Sequence, residues 1–230
     1  MERAQSLNNL TDQQKGSLLA FVAVMFITPD SLFIRLSNID TWGLVFYRGI
    51  IPFLTVFLGM LLIYKLNFFK IFINSGIHGL IYVITFSITN ITFVVSIQNT
   101  NVANTLVMTA TAPMLSAVLS AIFLKEPTDK KTLISIIITF ISVIYIFSAS
   151  FKLGNVYGDV LGFVTAIGLA IGAVTIRSAK SKNLVPAAVV GKLFVGTFAL
   201  FFIESFVLEN RDLIIAVSYT HLRAHETRFY

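Results

Sequence analysis

Gly16-Ser17-Leu18-Leu19-Ala20-Phe21-Val22-Ala23-Val24-Met25-Phe26-Ile27-Thr28-Pro29-Asp30-Ser31-Leu32-Phe33-Ile34-Arg35-Leu36 carries one acid and one base, Asp30 and Arg35. As a helix rising 1.5 Å per residue, it reaches about 30 Å, the thickness of a bilayer's hydrocarbon core. Comparable apolar runs recur along the chain, and hydropathy marks seven full spans at roughly 17–36, 43–64, 77–97, 102–124, 132–149, 158–177 and 185–208. An open sheet would leave its edges unsatisfied in lipid, and no ten-residue alternating pattern appears. The fold class is therefore all-α integral membrane, a multi-span helical bundle.

The opening stretch is read twice. Gly16 to Gly49 lies over Gly158 to Gly191 without a gap, matching at Gly16/Gly158, Leu19/Leu161, Phe21/Phe163, Val22/Val164, Ile34/Ile176, Arg35/Arg177 and Gly49/Gly191. Apolar runs match one another partly by composition, so the Ile-Arg pair closing each span is the most informative match. The copies lie five spans apart, and an odd number inverts the second copy in the bilayer. Inverted repeats of this kind build alternating-access carriers, whose halves rock about a central site. The implied organisation is an N-terminal segment at 1–15, a five-span repeat at 16–150 and an incomplete second repeat at 151–217. The apolar stretch Leu213–Val217 opens like an eighth span and stops at Ser218. Residues 218–230 read as a non-native tail resembling adapter read-through and are excluded from fold reasoning, a native polar tail being the alternative.

Composition agrees with a membrane protein: 56% of residues are apolar and only 12% charged, with a mean hydropathy of +0.85. A net charge of +6 would suit nucleic acid, but the basic residues sit in short loops between spans. Arg3, Lys15, Lys65, Lys70, Lys125, Lys130, Lys131, Arg177, Lys180 and Lys182 fall on the N-terminal side, against Arg35, Lys152 and Arg211 on the other. That bias places the N-terminus in the cytoplasm, makes the chain a multi-pass protein of the cell (inner or plasma) membrane and sets nucleic acid aside. The absence of cysteine removes disulfides, thiolate catalysis and Cys-ligated metals. His78 is isolated, and His221 and His225 lie in the excluded tail. With no ligand cluster, phosphate-binding loop or catalytic triad, the sequence predicts no enzyme, no cofactor and no metal.

Several strings share an order with a known family. They are Thr28-Pro29-Asp30-Ser31-Leu32-Phe33-Ile34-Arg35-Leu36, Tyr47-Arg48-Gly49, Val102-Ala103-Asn104, Thr109-Ala110-Thr111-Ala112-Pro113, Leu124-Lys125-Glu126-Pro127 and Gly158-Asp159. Over about 16–208 the chain resembles the EamA-type members of the drug/metabolite transporter superfamily. Members often carry a Gly-Glu pair where this chain has Lys125-Glu126. The resemblance implies a ten-span inverted-repeat secondary carrier with cytoplasmic termini, many such proteins exporting amino acids or other metabolites. It also implies that this chain lacks spans eight to ten, so that its own transport is impaired.

Charges inside hydrocarbon cost about 2.5–3.5 kcal/mol each on insertion scales, so each needs a reason. Asp30 and Arg48 both lie about 9–10 Å from the outer ends of sequential spans and are expected to meet. They either lock the two spans together, or Arg48 receives an anionic group with Asp30 as partner or proton acceptor. Pro29 predicts a kink beside Asp30, and Pro113 a second one in span four. Lys192 suits snorkelling to the cytoplasmic interface along its stem, with the cavity wall as the alternative. Asn90, Asn104 and Thr109 are candidate cavity residues, although the Thr109, Pro113, Ser116, Ala117, Ser120 face also suits close helix packing. Glu126 reads as a cap or loop anchor, while Trp42 and Tyr47 fit an interfacial belt.

The expected partners are the bilayer, a small polar or anionic metabolite and protons as coupling ion; a homodimer stays open. Two rivals remain. A seven-span retinal or receptor protein would need the opposite orientation and a lysine nearer mid-span. A non-transporting membrane scaffold would need only a stable bundle.

Overall fold

The computed structural model describes residues 21, 30–37, 39–64, 67–126, 129–153, 155–180 and 182–203. Among them every regular element is a helix: α1 (30–36), α2 (Thr41–Tyr64), α3 (Asn67–Asn99), α4 (Val102–Thr109), α5 (Ala112–Phe123), α6 (Lys130–Leu153), α7 (Val156–Ala179) and α8 (Val185–Ala199). Among the described residues five stretches are long and apolar enough to cross a membrane: Thr41–Leu62, Asn67–Asn99, Val102–Phe123, Lys130–Ser148 and Val156–Ala179. The helix in the seventh expected span, α8, has 15 residues, fewer than the ~20 a perpendicular crossing needs. Most of the first expected span, with Pro29, lies outside the described residues, as do the N-terminal segment and the excluded tail.

Two helices are interrupted where the sequence permits it. α3 runs for 33 residues but turns at Gly76, whose φ of 58° and ψ of −138° suit a residue without Cβ. Residues 67–75 thus form a helical lead-in where the hydropathy reading had only a connection. The stretch Val102–Phe123 breaks at Ala110–Thr111, between α4 and α5. Pro113 stands near the start of α5 and has no N–H for the Thr109 carbonyl. Around the break the Met114 N–H closes a tighter bond onto Thr111 at 3.0 Å.

Packing follows small residues. α7 presents the buried Gly158, Gly162, Ala166 and Ala170, so that α3 and α4 approach closely enough for hydroxyl bonds between helices. Thr92 meets Thr165 at 2.8 Å, while Ser96 donates to the Gly158 carbonyl at 2.7 Å. α2 packs on α8 at a still closer seam. A Cβ on Gly49 would stand 2.5 Å from the Gly196 backbone nitrogen. Around that seam Ile34, Leu44, Val45, Val94, Ile97, Val195 and Ala199 form a buried cluster drawn from α1, α2, α3 and α8. α6 stays at the periphery and exposes Leu133, Ile137, Ile141 and Ile144, the pattern of a lipid-facing helix.

Each end of the bundle is tied by an arginine. At the end where α3 finishes and α4 and α7 begin, Arg35 donates to the Ile97 carbonyl at 3.1 Å, and Gln98 returns to the Ile34 carbonyl at 3.2 Å. At the opposite end Arg177 pairs with Glu126 at 2.7 Å and reaches the Ser120 hydroxyl at 3.3 Å. Glu126 is thus an anchor between the end of α5 and α7.

Candidate functional site

α1 and α2 carry the first charged pair. Arg48 extends its guanidinium fork to both carboxylate oxygens of Asp30, with Nη2 2.9 Å from Oδ2. Each side chain retains about a tenth of its exposure. Paired planar groups of this kind form strong, oriented hydrogen bonds, and removing one partner from a buried pair typically costs about 3–5 kcal/mol.

Beside this pair α8 brings in a second cation. Lys192 is 6% exposed. It donates to Asn90 Oδ1 of α3 at 2.5 Å, stands 5.4 Å from the Phe86 ring centre and reaches the Arg48 backbone carbonyl at 3.4 Å. The expectation that Lys192 snorkels to the interface is therefore corrected. The close α2–α8 seam and an amide partner on α3 hold its ammonium inside the bundle.

The Arg48 carbonyl can be reached because of Pro52. In a helix that carbonyl bonds the N–H four residues on, and here that residue is proline, inside α2. That carbonyl loses its usual helical donor, and the Lys192 ammonium of α8 is a donor that reaches it. Sequence reasoning noted Arg48 and Lys192 separately and passed over Pro52, although its four-residue spacing from Arg48 carries the signal.

The structure thus brings together Asp30, Arg48, Asn90 and Lys192, drawn from α1, α2, α3 and α8. The other two candidates lie elsewhere. Asn104 donates at 3.3 Å to both carboxylate oxygens of Asp159, and Thr109 returns its hydroxyl to the Leu106 carbonyl of its own helix at 2.9 Å. Pro113 marks the α4–α5 break, and Pro29 lies outside the described residues.

Asp159 is the residue that the sequence reading undervalued, taking it only as part of a repeat opening. It is fully buried in the first turn of α7 and accepts the Thr100 hydroxyl at 2.5 Å as well as the Asn104 amide. A carboxylate at a helix N-terminus is favoured by the unpaired N–H groups there. This one also ties α7 to the α3–α4 corner.

Among the described residues no cluster of His, Cys, Asp and Glu is suited to holding a metal ion. The described site offers paired charges, an amide and a backbone carbonyl that Pro52 deprives of its helical donor, inside an apolar bundle.

Comparison with known proteins fits this arrangement. The sequence profile of the EamA-like transporter family matches residues 14–148. No curated protein and no solved structure shows significant similarity to the chain. The matched region is more than half of the chain and contains Asp30, Arg48 and Asn90, so this multi-pass membrane protein belongs to the EamA-like transporter family.

Proposed function

We propose that the chain acts as a secondary carrier of small polar or anionic metabolites, with amino-acid or related efflux as its activity. One observation carries the reading. Two cations, Arg48 and Lys192, are held within an apolar bundle at the meeting of α1, α2, α3 and α8, next to Asp30 and Asn90. Buried charge at such depth is costly and marks a solute or ion pathway by default. In this reading an anionic substrate displaces Asp30 from the Arg48 fork, and the released carboxylate becomes the acceptor for a coupling proton. Lys192 and Asn90 orient the rest of the solute.

Seven spans with a cytoplasmic N-terminus and an inverted repeat complete the proposal. α1 and α8 then belong to the first and seventh spans, and α2 is the counterpart of α8. Two features support the repeat. Arg35 and Arg177, equivalent under the alignment, each cross to a neighbouring element at opposite ends of the bundle. The equivalent Gly49 and Gly191 both lie at close helix contacts. Alternating access then means rocking the two repeats about the charged centre.

The test is counterflow of a mixed radiolabelled amino-acid pool into proteoliposomes, repeated with an organic-anion pool. Uptake that is lost on Arg48→Ala and reduced at least tenfold on Lys192→Met supports the carrier. Uptake indifferent to both changes refutes it.

A further inference from the structure

A polar concavity opens at the Arg35 end of the bundle, separate from the charged centre. It measures about 400 Å³ and is lined by Arg35, Gln98, Asn99, Thr100, Asn101 and Asn155, with Val102. So polar a lining is unusual in a chain that is 56% apolar. Arg35 is exposed here, and its Nη1 bond to the Ile97 carbonyl holds the guanidinium in place. Among the described residues no carboxylate pairs with Arg35. The acid of the adjoining α7 turn, Asp159, is fully buried and faces Thr100 and Asn104.

Two helices also begin at this cleft. α4 starts at Val102 behind its cap Asn101, whose side-chain oxygen is taken by the Ala103 N–H at 3.0 Å. α7 starts at Val156 behind Asn155, whose side chain makes no capping bond. Asp159 already supplies negative charge at the start of α7, so recognition falls to the arginine and amides of the lining, which are complementary to one ligand chemistry, a small oxyanion.

We propose that this cleft is an oxyanion-binding vestibule that receives a carboxylate or phosphate group and is distinct from the Asp30–Arg48–Lys192 centre. Arg35 lies five residues beyond Asp30 on α1, about 7–8 Å further along the helix axis. Under the carrier reading, on which only this last role rests, the vestibule is the first stop for an anionic solute at that end of the pathway. The oxyanion comes either from a soluble metabolite or from a lipid headgroup, since both present the same group.

The chain contains no cysteine, so one introduced thiol reports on the cleft alone. Asn155→Cys removes no capping bond and places that thiol at the rim. Its maleimide labelling rate in detergent is measured against increasing inorganic phosphate and, separately, succinate, with chloride at equal ionic strength as control. The proposal expects labelling to slow at least fivefold at saturation, and the protecting concentration to rise at least tenfold in an Arg35→Gln background. Arg35→Lys retains the charge but not the fork and should fall between the two.

Repeating the assay in nanodiscs separates the sources. Protection that survives in phosphatidylcholine discs supports a soluble oxyanion. Labelling already slow in discs, and restored by Arg35→Gln, supports a lipid phosphate. Protection unchanged by Arg35→Gln, or equal for chloride and phosphate, overturns the vestibule. Circular dichroism of the variants guards against misfolding as the cause. Because the readout needs no transport, it stands whether or not counterflow is observed.

Discussion

The seam between α2 and α8 predicts an ordered response to three single-methyl additions. On Gly49 a new Cβ would meet the Gly196 nitrogen at 2.5 Å, the Gly196 Cα at 2.7 Å and the Lys192 carbonyl at 3.0 Å, all backbone atoms. Ordinary contact starts near 3.4 Å, so the helices must part by 0.9 Å, from 3.4 − 2.5. A gap of 0.5–1 Å forfeits roughly a quarter to a half of each dispersion contact across a seam. Overpacking of this kind costs about 1–3 kcal/mol, offset by up to about 1 kcal/mol because alanine is the better helix former. The expected net loss for Gly49→Ala is about 2 kcal/mol. Gly196→Ala meets the Ile50 side chain at 2.5 and 2.6 Å and its backbone nitrogen only at 3.2 Å. A rotating isoleucine relieves most of that, so its loss is about 1 kcal/mol or less. Gly59→Ala, on the same α2, has nothing within 4 Å and should lose nothing.

The assay has a built-in reporter. The single tryptophan, Trp42, stacks on Phe202 with centroids 4.6 Å apart and lies 6.2 Å from Phe198 of α8. Its fluorescence, followed through reversible SDS unfolding in mixed micelles, reads separation of the seam. Gly49→Ala as stable as the parent, or Gly59→Ala as the most damaging of the three, would refute the reasoning.

Two further outcomes follow from backbone geometry. Pro52→Ala restores the N–H that closes on Arg48, so the Lys192–Arg48 bond becomes redundant. Lys192→Met should then destabilise the Pro52→Ala background by at least 0.5 kcal/mol less than the parent, as measured by a double-mutant cycle; additive effects would contradict the role given to that carbonyl. Lys125 holds a φ of 56°, a left-handed conformation that costs a side chain roughly 1 kcal/mol. Lys125→Gly should raise unfolding stability by roughly that amount and Lys125→Val should lower it.

What was legible in the sequence was what depends on one dimension. Apolar length marks crossings, so the cores of α2, α6 and α7 fall where hydropathy puts them. Depth on consecutive spans is also one-dimensional, which is why Asp30 and Arg48 could be expected to meet. Which face each helix turns inward is not readable that way. Asn90 and Lys192 are 102 residues apart and meet only because glycines let α8 lie against both α2 and α3. Asn104 looked like a cavity residue by polarity alone, yet its face turns to α7 and Asp159. The lead-in at 67–75 escaped because its apolar run is too short to register as a crossing.

The Lys192–Arg48 contact also constrains how the protein is made. Lys192 is 144 residues further along the chain than Arg48. At about 5–20 residues per second the ribosome needs roughly 7–30 seconds to supply that lysine. The contact between α2 and α8 at this carbonyl therefore closes only after α8 has been synthesised, and this seam joins the fold late rather than in chain order.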